Sequence, residues 1–126
     1  MSKSEAKKVL IVDDSLTVRL YHKQILAKGN YECDEAENGM EALEKAHLKD
    51  YDLFLVDINM PVLDGYSFVK RLRSGEGHEA PVIMVSTESE EMDMDLAYES
   101  GASMYLIKPA RPDDLLLNVK MLTYTK

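Results

Sequence analysis

Leu53-Phe54-Leu55-Val56-Asp57-Ile58-Asn59-Met60-Pro61 sets the architecture of this chain. Four successive apolar residues, closed by a carboxylate and soon by a proline, read as a strand whose exit carries the polar chemistry. Two other runs repeat the pattern. Val9-Leu10-Ile11-Val12 ends on Asp13-Asp14, and Met104-Tyr105-Leu106-Ile107 ends on Lys108-Pro109. In an open parallel sheet, ligands sit outside the carboxyl ends of the strands, so three such exits are the place to look for function.

Apolar runs at 8–12, 31–35, 52–56, 81–85 and 104–107 alternate with amphipathic stretches at Leu16–Lys28, Gly39–Leu48, Tyr66–Arg73, Glu90–Ser100 and Asp113–Leu122. The order is strand then helix, five times. Ser15, Asn38 and Asp64 stand where N-caps are expected, Gly29 and Gly101 where helices end, and Pro112 in a first turn. Right-handed crossovers then predict an α/β, flavodoxin-like (βα)5 fold, a doubly wound sheet of five parallel strands in the order 2-1-3-4-5. Strands one and three are neighbours in that order. Asp13, Asp14 and Asp57 therefore share one rim, with Lys108 and the Ser86-Thr87 pair close by.

With 126 residues, 45% of them hydrophobic, the chain is long enough for one domain with its own core. Residues 1–6 are expected to form a flexible polar tail and 7–126 a single domain; four residues after Leu122 leave no room for an output domain. A net charge of -8 disfavours nucleic acid and anionic membranes as partners. Cys33 is the only cysteine, and neither a signal region nor a spanning segment is present, which points to a reducing, cytoplasmic setting.

Three carboxylates brought close together repel one another by about 4 kcal/mol per pair at an intermediate effective dielectric, so they need a cation or must take up protons. Oxygen ligands suit a hard divalent ion, which makes Asp13, Asp14 and Asp57 a candidate Mg²⁺ site. With its charge offset by the metal, a carboxylate can attack a phosphoryl group, and Asp57 is the best-placed nucleophile. Lys108 and Ser86 would donate hydrogen bonds to the transferred oxygens.

The ordered set Asp13-Asp14, Asp57, Ser86 and Lys108-Pro109, spread over Lys8 to Leu122, resembles the receiver domain of two-component response regulators. The resemblance implies a chain that takes a phosphoryl group on Asp57 from the phosphohistidine of a histidine kinase and is not a turnover enzyme. It implies Mg²⁺ on Asp14, Asp57 and the Asn59 carbonyl, with Asp13 acting through water, and Ser86 and Lys108 reading the phosphoryl group. It further implies a cis Lys108-Pro109 bond and a switch in which half-buried Tyr105 swings inward as Ser86 moves to the phosphate. The output surface would be helix four, strand five and helix five, where Met94 and Tyr98 share a face and Leu116 and Met121 exceed the core stripe. Asn59 and Glu88, each two residues after a site residue, match a pairing of chemotaxis members, so the partner would be a motility component, with a phosphatase as a further partner. Ser86 stands where threonine is commoner, and Ala110-Arg111-Pro112 lacks the bulky apolar residue often found after Lys-Pro.

Other readings compete with this one. A Mg²⁺-dependent phosphohydrolase would use the same aspartate but needs a second one where this chain has Asn59. A passive scaffold would not need the full acid set. A flavin domain would need a Ser/Thr-rich loop after strand one. His22, His47 and His78 lack metal-ligand spacing and read as surface residues, Gly75-Glu76-Gly77 does not follow a strand, and Cys33 reads as a small core side chain.

Overall fold

A computed structural model of the chain describes residues 6–75, 79–87 and 91–124. Five strands and five helices alternate along it: β1 (Lys8–Val12), α1 (Leu16–Lys28), β2 (Glu32–Ala36), α2 (Gly39–Leu48), β3 (Leu53–Asp57), α3 (Gly65–Ser74), β4 (Val82–Ser86), α4 (Glu91–Ser100), β5 (Met104–Ile107) and α5 (Pro112–Thr123). All the strand pairings are parallel, in the order β2-β1-β3-β4-β5. The flavodoxin-like topology expected from the alternation is the one observed.

Successive strand residues point to opposite faces, so each central strand feeds two cores. Leu10, Val12, Phe54, Val56, Val82 and Met84 pack with Ala42, Phe68 and Ala97 of α2, α3 and α4. Val9, Ile11, Leu53, Leu55, Ile83 and Val85 pack with Ile25, Leu26, Leu115 and Val119 of α1 and α5. Edge-to-face contacts from Tyr51 through Phe54 to Phe68 order the first of these layers.

Ser15, Asn38 and Asp64 accept hydrogen bonds from the backbone N–H groups of Val18, Glu41 and Ser67, the three caps read from the sequence. Three strands, however, begin one residue later than expected. The Tyr31 N–H is spent on the Leu26 carbonyl at the end of α1, the Asp52 N–H and carboxylate both face Lys8, and Pro81 has no N–H. The shift has a functional result: Asp57 and Ser86 are the last residues of their ladders, paired with Val85 and Ile107, rather than the first residues of loops.

α1 is inverted. Its buried stripe is Arg19, His22, Ile25 and Leu26, whereas Leu16, Leu20 and Tyr21 are exposed. The surface position expected for His22 is therefore corrected; it is 2% exposed. His47 is exposed as expected, and His78 and Glu76-Gly77 lie outside the described residues. Cys33 is half-buried against the α1/α5 core, and burial pushes its thiol up to about 11, which suits an inert side chain.

One backbone position carries strain. Val62 has φ 71°, in a tight turn closed by the Leu63 N–H on the Pro61 carbonyl, and a β-branched residue rarely adopts that conformation. The residue is 77% exposed, so little packs against it. Val62→Gly is expected to raise stability by about 1 kcal/mol, read as a higher urea midpoint with an unchanged slope.

Candidate functional site

The register of the sheet builds the site. Val12 pairs with Val56, so the residues that follow, Asp13 and Asp57, leave adjacent strands side by side. Carboxylate oxygens of Asp13, Asp14 and Asp57 lie within 4.8 Å of one another. Asp13 and Asp57 are buried and Asp14 is exposed, so the cluster is a notch with one wall open to solvent.

Lys108 reaches in from the end of β5. Its Nζ donates to Asp13 Oδ2 at 2.9 Å and to Asp57 Oδ1 at 3.0 Å. Burial alone would lower its pKa, but these two bonds hold the ammonium above the ordinary lysine value. Burial pushes the Asp57 carboxyl up to about 6; the Lys108 bond opposes this and the Asp13 charge adds to it. The nucleophile candidate thus carries a proton more readily than a surface acid, and a further cation would favour its ionised form.

Ser86 is 1% exposed at the end of β4, and its carbonyl accepts the Lys108 N–H at 2.7 Å, which ties the lysine's backbone to the serine's strand. The Lys108-Pro109 bond is cis. Asn59 is exposed just beyond β3. Glu88 lies outside the described residues. Tyr105 is 7% exposed and belongs to the α2/α3/α4 core, so it is buried rather than half-buried as expected. Met94 is half-buried, Tyr98 exposed, and Met121 exposed; Leu116, expected to be surplus, packs against the α1/α5 core.

These elements match a known profile over residues 9–120, that of the response regulator receiver domain. The chain belongs to that family. Its fold superposes on Vibrio cholerae chemotaxis protein CheY4 with a TM-score of 0.87 at 35% identity, covering 93% of this chain and 98% of that one. A CheY-like receiver domain protein from Methanospirillum hungatei gives 0.85 at 30% identity, with 92% of each chain covered. The transcriptional regulatory protein ResD of Bacillus subtilis is 37% identical over 122 residues, 97% of this chain and 50% of ResD. The chain spans about half the length of the curated relatives it matches.

Three residues of this receiver domain were given no place at the site by the reading of its sequence. Arg19 is 8% exposed; its Nη1 donates to the Asp13 carbonyl at 2.7 Å and its Nε to Glu35 at 2.8 Å, which pins the loop bearing both N-terminal acids. His22 faces Lys108 across a cavity of about 220 Å³; its Nδ1 has no hydrogen-bond partner, and burial takes its pKa down to about 4, with Lys108 acting in the same direction and Asp13 against it. The imidazole is neutral at pH 7 and adds no charge to the notch.

Gly65 is the third. A Cβ there would lie 2.5 Å from the Asp57 carbonyl oxygen, and the Gly65 N–H donates to the Ile58 carbonyl at 2.8 Å. The start of α3 is therefore pressed onto the backbone of Asp57, where only glycine fits. Gly65→Ala is expected to cost about 2 kcal/mol of stability and to slow phosphate uptake, measured by urea melts and by intact mass after a fixed exposure to phosphodonor. Asp64 was legible as a cap; the closeness of Gly65 to Asp57 was not.

Proposed function

We propose that this receiver domain accepts a phosphoryl group on Asp57 from the phosphohistidine of a histidine kinase and relays the change to a target protein. The observation that carries the proposal is the Lys108 ammonium held between buried Asp57 and Asp13, with Asp14 completing the acid notch. All the donors on the acid side are hard oxygens, the set that fits Mg²⁺. Asp13, Asp14, Asp57 and the Asn59 carbonyl would hold the ion; when bound, it offsets the negative charge that otherwise repels an incoming phosphate.

In the step itself an Asp57 carboxylate oxygen forms the bond to phosphorus, and the bond from phosphorus to the kinase histidine nitrogen breaks. That nitrogen keeps the electron pair. Lys108 loses its bond to Asp57 and gains a phosphoryl oxygen, while Ser86 supplies a hydroxyl from the end of β4. Exposed Leu16 and Leu20 on α1, beside Asp14, offer the kinase an apolar landing face. A phosphatase would reach the group by the same open wall.

Charge added at the notch pulls on Ser86 and Lys108, the ends of β4 and β5, and Tyr105 lies between them and the surface of α4, β5 and α5. A partner that binds that surface more tightly once Ser86 and Lys108 have shifted stabilises the phosphorylated form by the same energy that phosphate lends the partner. Likeness to CheY4 over nearly the full length supports a target in chemotaxis or motility, in the cytoplasm; the transcriptional relatives share about half of their own length with this chain. Acetyl phosphate with Mg²⁺ is expected to add the mass of one phosphate, and EDTA to prevent it. An unchanged mass with Mg²⁺ present would overturn the proposal.

A further inference from the structure

The output face has a charge of its own. A groove of about 310 Å³ runs along it, walled by Met94, Tyr105, Ile107, Ala110, Arg111 and Asp114. Its shoulders are apolar and open to solvent: Tyr98 is 48% exposed, Leu117 57% and Met121 62%. Asp114, Leu117 and Met121 follow one another along α5 at i, i+3 and i+7, so they form one stripe beside the groove. On the opposite shoulder α4 reads Glu-Met-Asp-Met-Asp-Leu-Ala-Tyr-Glu-Ser, with no basic residue. Asp95 and Glu99 of that helix are exposed, and Arg111 is the basic residue among those that wall the groove.

From this pairing we infer that the target presents a basic amphipathic segment to the groove. The inference rests on the output-face reading above and names the partner's chemistry. Apolar side chains spaced at i, i+3/i+4 and i+7 on the target would fill the channel between Tyr98 and Met121, as a helix laid in a groove does. Lysines or arginines on its flanks would meet Asp95, Glu99 and Asp114. An acidic segment of the same apolar spacing would meet like charge on both shoulders and be rejected, so the rim selects partners by sign as well as by shape.

The test uses two labelled 18-residue peptides with identical leucine spacing, one with lysine and one with glutamate at every polar position. Fluorescence anisotropy is read at low and moderate salt with the full chain before and after acetyl phosphate and Mg²⁺, the phosphoryl content being checked by intact mass. The lysine peptide is expected to bind at least about tenfold tighter than the glutamate peptide, and more tightly still to phosphorylated protein. Charge reversal by Asp95→Lys with Glu99→Lys should remove most of that preference. The same net change placed near the opposite edge of the sheet, by Glu44→Lys with Asp50→Lys, should leave it largely intact. Equal or tighter binding of the glutamate peptide, no binding of either, or equal losses in the two charge-reversed proteins would each overturn the inference. A chain that gains no phosphate but still shows the lysine preference at this face would instead sink the phosphoacceptor reading and leave the basic partner standing.

Discussion

Asp57→Asn is expected to lose phosphate uptake from acetyl phosphate by a factor on the order of 10³ or more, the scale on which removal of an attacking group acts. An amide keeps the shape of the side chain and its place in the ladder opposite Val85, so the loss reports chemistry and not folding. The site offers no equivalent substitute. Asp13 is buried on the same lysine but its carboxylate is engaged by the Ser15 N–H at 2.9 Å as well as by Lys108. Asp14 stands on the solvent wall, away from the ammonium that would hold the new phosphoryl oxygens. Intact mass and peptide mapping check the prediction. Undiminished labelling in the variant would move the acceptor to another residue, and partial labelling that maps to Asp14 would show the notch to be less selective than its geometry implies.

Burial explains why so much of this was legible beforehand. Hydrophobic strands covered on both faces read as unbroken apolar runs, and the polar residues that end them are conspicuous by contrast. Val9 to Val12 and Leu53 to Val56 therefore located Asp13 and Asp57 without any structure, and crossover handedness put them side by side. The same logic failed on α1, where the usual polarity of a helix is reversed: two polar side chains, Arg19 and His22, face inward, and leucines face out. A periodic pattern cannot reveal that, because Leu16, Leu20 and Tyr21 mark an apolar face just as well when the face is a surface. Gly65 was hidden for a different reason. Its role depends on the distance from one strand to the next helix's first turn, a tertiary quantity that local spacing does not encode. Strand starts slipped by one residue because the Tyr31 N–H is committed to the end of α1, the Asp52 side chain takes the Lys8 N–H, and Pro81 has no N–H to give a ladder.

The proton on Asp57 gives the second large effect, in the metal-free protein. Its folded pKa of about 6 lies above the ordinary value of 3.8, with burial as the chief cause. Below pH 3.8 the carboxyl is protonated in folded and unfolded chain alike, and the advantage of keeping that proton in the fold is fully present. Between 3.8 and about 6 the unfolded chain releases it first, so the advantage is lost progressively, and above about 6 it is gone. The full swing is worth about 3 kcal/mol at 1.36 kcal/mol per pH unit. Asp57→Asn has no proton to lose. In EDTA its stability relative to wild type should therefore climb by most of that amount from pH 4 to pH 7.5, whatever the fixed cost of its lost bond to Lys108. Added Mg²⁺ should reverse much of the gain at pH 7.5, since an ion bound only by the folded wild-type notch stabilises it in proportion to RT ln(1 + [Mg²⁺]/Kd). Urea melts of both proteins at the two pH values, with and without Mg²⁺, make the comparison. Parallel stability curves across pH in EDTA would mean that Asp57 ionises as freely in the fold as in water, and a divalent ion without effect on the wild type would remove the metal from the notch.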